Sequence, residues 1–338
     1  MTRTYSNFAA VTLSQPAAGF LLAGVLLAGA GVASVAQAAA FPDKPIKLVV
    51  PYSAGATTDT LGRRIGTLMS ALLGVPVFVD NKPGANAIIG ATAVARSEPD
   101  GHTLLFCTDS SNVLNPLLYP KLSYSAKDLV PIALLSDLPV VLVVSSSLPA
   151  KSLEEFVTYG RANPGKVHYG STGNGGTFHL AGELFAQQAG MKMTHVPYKG
   201  GAPAITAMLA GEIQALFGVA GSNLPQIKAG KLRALGVASN TRLPALAETP
   251  TFAEQGWKDF SVIIRYGLCV PRGTPKPAID KLVGAVNHAL ADPEFRKTFD
   301  QQGFVMPAQT GPAHFQALVE SDRKLWTALI KRQNITLD

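Results

Sequence analysis

Short runs of β-branched and apolar residues alternate with helix-length amphipathic segments along this chain, in two successive series. Parallel strands need crossovers long enough to hold a helix, so this alternation constrains the chain to α/β lobes with mainly parallel sheets. In the first series 46–50 reads as a strand, and 59–73 as a helix with Asp59 as its N-cap. A strand over 77–80, a helix over 88–95 and a strand over 103–107 follow. The second series opens on Ser152-Leu-Glu-Glu155, a capping box that starts a helix running to about Ala162. Strands over 167–170, 194–196, 213–217 and 234–238 then alternate with helices over 177–188 and 202–210. Two longer apolar strands, 139–144 and 262–270, flank this second series. The remainder is helical: 278–290, a helix begun by Asp292-Pro293 and stopped near Gly303, and a last one over 313–332. A helical tail with no strands of its own packs on the first series. The expected architecture is therefore two lobes, with 41–140 plus 266–338 in one and 141–265 in the other.

The first residues read as a secretion leader. Arg3 is followed by an apolar, Gly- and Ala-rich run over 17–35, and Ala36-Gln37-Ala38 has the small-x-small form that signal peptidase accepts. A second acceptable cleavage lies after Ala40, and an uncleaved membrane anchor is the rival reading. Cleavage after Ala38 removes only Arg3 among the charged groups and leaves 28 basic and 22 acidic side chains. Those basic residues are scattered, and no Lys/Arg run interleaved with aromatics occurs. Nucleic acid is a poor partner on that count, whereas a small anion suits a mildly basic exported chain.

With 47% hydrophobic and 15% charged residues, the chain is neither disordered nor fibrous. Its two cysteines, Cys107 and Cys269, sit in apolar strand-like runs. An oxidising compartment allows a disulfide, but the runs around them favour two small buried hydrophobes. No CxxC, HExxH or Cys/His cluster is present, so the sequence calls for no metal and no cofactor.

Two strand-to-helix loops carry the binding signal. Pro51-Tyr-Ser-Ala-Gly-Ala-Thr-Thr58 precedes the helix of Asp59, and Ser171-Thr-Gly-Asn-Gly-Gly-Thr177 precedes the helix of His179. Both are rich in Gly and hydroxyl residues and lack any charged side chain. A helix N-terminus offers unpaired N–H groups and partial positive charge, so such a loop can hold an anion without a basic residue. The candidate ligand-binding residues are Tyr52, Ser53, Ala54, Gly55, Ala56 and Thr57 in the first loop, and Thr172, Gly173, Asn174, Gly176 and Thr177 in the second. Asp59 should cap its helix and stay off the anion, since like charges repel.

Enzyme motifs fit less well. Position 178 is Phe, so Gly173-x-Gly175 lacks the third glycine of a dinucleotide fingerprint, and neither loop ends in Gly-Lys-Ser/Thr. Ser171 does not lie in a GxSxG elbow. A secreted hydrolase using Ser171 or Ser53 with His179 stands as the alternative from another class. His179 and His195 are each read as hydrogen-bonded structural residues.

The segments FPDKPIKLVVPYSAGATTD, VDNKPGANAIIGA, EPDGHTLLF, GNGGTFHLAGELF, HVPYKGGAPAITAMLAGEI, LPQIKAGKLRALGVAS and YGLCVPRGTP, in this order, resemble the Bug-type periplasmic receptors of tripartite tricarboxylate transporters. The resemblance runs from Phe41 nearly to the C-terminus. It implies an α/β, two-lobed periplasmic binding protein fold (type II-like), each lobe a mixed, mainly parallel sheet flanked by helices. It further implies crossover strands near Val140 and Arg265 that act as a hinge, and a small carboxylate-bearing solute held between the lobes by the two loops. The implied partner is a membrane permease, or in a sensory version a membrane kinase, and the chain is expected to be a monomer without catalysis. Several positions depart from the family pattern. Ala56 replaces a frequent second glycine, Gly176 a frequent Ser, Ala207 a small acidic residue, and Arg265 an aromatic. Arg265 is either a surface charge, the preferred reading, or a cleft residue that pairs with a ligand carboxylate.

Overall fold

The computed structural model describes residues 41–55 and 57–333, the last without its side chain. The leader reading and Ala56 lie outside the described residues. The first strands and helices are β1 (Ile46–Val50), α1 (Thr57–Leu73), β2 (Val77–Asn81), α2 (Ile88–Ala95) and β3 (Thr103–Cys107). After β3 the chain turns through a short π-helical stretch, Ser110–Leu114, into α3 (Asn115–Leu118) and then β4 (Leu129–Pro139). The second group is β5 (Val141–Ser145), α4 (Leu153–Ala162), β6 (Val167–Ser171), α5 (Thr177–Ala189), β7 (Met193–Pro197), α6 (Gly201–Leu209), β8 (Ala215–Gly218), α7 (Ala220–Lys228) and β9 (Leu232–Val237). Then β10 (Ile263–Pro271) leads into α8 (Lys276–Ala291), α9 (Pro293–Asp300) and α10 (Pro312–Gln333).

The strands form two five-stranded sheets, ordered β2-β1-β3-β10-β4 and β7-β6-β8-β5-β9. The two orders repeat one pattern. In each, three parallel strands meet one antiparallel strand, which pairs antiparallel with an outer strand. The carboxyl ends of β1 and β3 therefore share one edge, as do those of β6 and β8, and in open α/β sheets that edge is where ligands bind. The chain crosses between the sheets at Val140, whose N–H donates to the Val262 carbonyl at 2.9 Å and whose carbonyl accepts from Ala238 N–H at 2.8 Å.

Packing follows the sequence pattern closely in the first sheet. Leu61, Ile65 and Met69 recur at four-residue spacing on α1 and are fully buried. Between them, a Cβ at Gly62 would come 3.1 Å from Val50 and one at Gly66 would come 3.1 Å from the Val77 carbonyl, so glycine lets α1 settle on the sheet. In the second lobe Phe185 sits amid Phe217, Phe252, Trp257 and Phe260. Truncating a buried aromatic such as this one to Ala removes about 3–5 kcal/mol.

The structure departs from the sequence reading at three points. The stretch 139–144, expected as one strand, is the junction of β4 and β5, and β4 extends back to Leu129. Pro131, Ser136 and Asp137 break the apolar pattern there, yet Ser136 is fully buried and Asp137 pairs in register with Arg265. The segment 220–228, to which the sequence reading gives no element, forms α7 with Pro225 inside it. Cys107 and Cys269 form a disulfide between the neighbouring strands β3 and β10, with Cα atoms 5.9 Å apart. Two cysteines 162 residues apart share no local signal, which is why burial looked sufficient to explain them.

Candidate functional site

Four strand-to-helix connections converge on the facing sheet edges: those after β1 and β3 from one lobe, and those after β6 and β8 from the other.

The loop after β1 is locked from beneath. Tyr52 Oη lies 2.9 Å from Thr108 Oγ1, and burial pushes its hydroxyl up to about 12. Asp59 was expected as the N-cap, but the helix already begins at Thr57 and Asp59 lies in its first turn. From there its carboxylate accepts the Gly55 N–H at 2.9 Å, Arg63 Nε at 3.0 Å and Asn81 Nδ2 at 2.9 Å. Burial alone would raise its pKa, and these hydrogen bonds with the Arg63 charge hold it low instead. Gly55 takes φ +80°, a left-handed turn that glycine enters freely. Ser53, Ala54, Gly55 and Thr57 are exposed.

The loop after β6 is locked by Ser171. Its Oγ donates to the Gly173 carbonyl at 2.9 Å, accepts the Gly173 N–H at 3.1 Å and lies 2.7 Å from His195 Nε2. Ser171 thus meets His195, not the His179 that the hydrolase alternative requires. His179 instead accepts the Gly175 N–H through Nδ1 at 3.1 Å and stacks on His195 with ring centroids 3.9 Å apart. Burial, with the neighbouring His179, depresses His195 to about 3, so the ring is neutral across the physiological range. Ser171 is fully buried, and its hydroxyl is spent on shaping the loop. Thr172 and Asn174 are exposed, and Gly173 takes φ +142°.

Thr177, at the start of α5, is buried, and its hydroxyl donates to the Asp109 carboxylate of the other lobe. Gly176 stands before it as an N-cap without a side-chain bond. The sequence reading did not single out Asp109, which follows β3 in a stretch with no clear periodicity. Burial, reinforced by the Asp322 charge, lifts its carboxyl to about 7.

Arg265 departs from its preferred reading as a surface charge. Its side chain is 13% exposed. Its Nη1 donates to Asp322 on α10 and its Nε lies 3.7 Å from Asp137 Oδ1, beyond hydrogen-bond distance. Burial raises Asp137 and brings Asp322 up to about 6, with Arg265 opposing both shifts.

A cavity of about 180 Å³ lies between Thr57, at the start of α1, and Val219, Gly221 and Ser222, at the start of α7. Leu138, Gln302 and Phe304 complete its wall, and none of these side chains is ionisable. The lobes approach closely here: a Cβ at Gly221 would stand 2.7 Å from the Gln302 carbonyl. The α7 N-terminus was missed because Val-Ala-Gly-Ser carries no glycine-loop signature and Pro225 disguises the helix. Of the residues read from sequence, Thr57 alone lines this cavity, while Thr177 and Tyr52 meet the Thr108–Asp109 pair. Among the described residues no cluster suits a metal ion, and no helix is long and apolar enough to cross a membrane.

The sequence profile of the tripartite tricarboxylate transporter family receptor matches residues 61–335. The chain belongs to that family. BugT of Bordetella pertussis is 32% identical over 93% of this chain and 97% of its own length. The structure of the periplasmic binding protein BugD superposes with a TM-score of 0.78 at 34% identity, over 88% of this chain and 99% of that one. MatC from Rhodopseudomonas palustris, solved with bound malate, gives 0.77 at 31% identity over 86% and 100%. An R. palustris protein solved with adipate gives 0.80 at 30% over 88% and 99%. These matches bear out the Bug-type resemblance and the two-lobed periplasmic binding protein fold. Receptors of this family are periplasmic and bind solutes.

Proposed function

We propose that this chain is an exported receptor that captures a small carboxylate-bearing solute between its lobes and delivers it to a tripartite tricarboxylate-type permease. The observation that carries this reading is the uncharged cavity between the α1 and α7 N-termini, one from each lobe. Each helix end directs unpaired N–H groups and partial positive charge inward, so a carboxylate placed there is stabilised by both lobes at once. Thr57 and Ser222 add hydroxyl groups, and Leu138 and Phe304 give the rest of the solute an apolar wall. A ligand bridging the lobes favours their closed arrangement, which is the form a permease would recognise. The malate and adipate held by two relatives support the carboxylate class. In this reading residues 1–38 are the leader, 41–140 with 266–338 and 141–265 are the lobes, and the mature receptor acts as a monomer.

The test is a thermal-shift screen of residues 39–338 against mono-, di- and tricarboxylates, repeated after unfolding and refolding to strip retained solute. A carboxylate at about a hundred times its Kd adds about 2.7 kcal/mol and is recovered unchanged. Silence across all carboxylates, or a solute consumed during incubation, contradicts the receptor reading.

A further inference from the structure

The N-terminus of α5 is the seat that the sequence pattern offers to a solute carboxylate, and one of the chain's own carboxylates stands beside it, bonded to the hydroxyl of its first residue. Asp109 is 6% exposed and makes no cap to the helix that follows it. Its carboxylate reaches across to the opposite lobe and accepts the Thr177 hydroxyl. Among the described residues the two arginines nearby already face carboxylates or a carbonyl, although the Nε of each lacks a hydrogen-bond partner. Arg265 is bound to Asp322 with Asp137 close by, and the Asp322 charge bears directly on Asp109. Arg323 donates to the Asn112 carbonyl at 3.4 Å and lies 3.7 Å from Glu320. The cavity at Thr57 has no ionisable side chain, so the two seats differ in what they accept.

We propose that Asp109 is a specificity-determining residue: by standing beside the α5 seat it restricts the receptor to solutes with one carboxylate and a neutral or cationic far end, and it rejects dicarboxylates. This inference rests on the receptor reading above. A second solute carboxylate near α5 would meet Asp109 as a like charge in a buried setting, where screening is weak and repulsion costs most. Specificity then comes from a repulsive element rather than from an added contact.

Calorimetric titration of matched pairs tests it: butanoate with succinate, hexanoate with adipate, and benzoate with terephthalate. The mature wild-type chain, D109N and D109E are compared at about pH 8, where the Asp109 carboxyl, at about 7, is mostly ionised. The wild type should bind the monoacid of a pair about tenfold or more tighter than the diacid. D109N should strengthen diacid binding by up to about tenfold, the cost of protonating a carboxyl of pKa about 7 at pH 8, and leave the monoacid within about threefold. D109E keeps the charge and should restore the discrimination. A wild type that prefers the diacid overturns the inference, as does a D109N ratio equal to that of the wild type. If D109N does not fold, the wild-type ratio alone decides. If no member of any pair binds, the receptor reading fails and this inference with it; binding with an unchanged ratio overturns the selectivity alone.

Discussion

The lobes meet in two ways that the repeated sheet pattern makes comparable. The connection after β1 faces the one after β8, and the connection after β3 faces the one after β6. At the first meeting two helix N-termini enclose an uncharged cavity. At the second, Asp109 closes on Thr177, and Arg265, Asp322 and Asp137 form an ionic cluster beside the contact. Equivalent positions in a repeated fold thus serve opposite ends. An N-terminus left open can receive an anion, whereas one with an internal carboxylate beside it joins the lobes and repels further negative charge.

The largest expected effect comes from unpinning the second meeting. Cys107 lies two residues before Asp109, so the disulfide to Cys269 fixes the base from which Asp109 reaches α5. Replacing both cysteines by Ala should cost about 2–4 kcal/mol in a denaturant titration of the unliganded chain. An unchanged midpoint and slope would mean that strand pairing alone holds this junction.

Next is the first meeting. A Cβ at Gly221 would collide with the Gln302 backbone carbonyl, so G221V should wedge the lobes apart. Solute affinity should fall roughly 100-fold, about 2.7 kcal/mol, with the melting temperature of the empty protein nearly unchanged. Wild-type affinity in G221V would remove the cavity from the binding account.

A smaller effect separates the meetings by pH. Asp109 has a folded pKa of about 7, raised above the ordinary carboxylate value by burial and the Asp322 charge. The folded state therefore holds a proton that the unfolded state gives up, and stability is lost as pH rises from about 4 to about 7. The groups facing Asp109 are Thr177, Tyr52, Tyr266, Arg265 and Asp322, and Asp322, raised to about 6, loses stability in the same direction. His195, depressed to about 3, opposes this at lower pH, where stability grows as pH rises toward about 6.5. The difference between wild type and D109N isolates Asp109: the advantage of D109N in chemical denaturation should widen from about pH 4 to pH 7. A constant difference would show that Asp109 ionises as freely folded as unfolded.

The smallest effect belongs to the scaffold of the first loop. Y52F removes the bond to Thr108 and should cost about 0.5–1.5 kcal/mol in stability, with solute selectivity intact. A change in selectivity would make the Tyr52 hydroxyl part of the solute site.

Sequence carried the parts of this design that rest on local patterns. The strand–glycine loop–helix units at 51–58 and 171–177 were readable because close turns and helix starts demand particular residue types. Thr57 and Thr177 follow directly from that logic. Asp109, the Ser171–His195 bond, the disulfide and the Arg265 cluster depend on contacts between residues 24 to 162 positions apart, which no spacing rule exposes. The α7 N-terminus was hidden for a different reason: packing against the sheet and lobe one sustains a helix that Pro225 argues against locally.

The most direct measurement is a crystal structure of the mature receptor with the tightest carboxylate from the screen. The account predicts the solute carboxylate between Thr57 and the Gly221–Ser222 end of α7, with Asp109 still joined to Thr177. A carboxylate seated instead on residues 172–177, with Asp109 displaced, would contradict it.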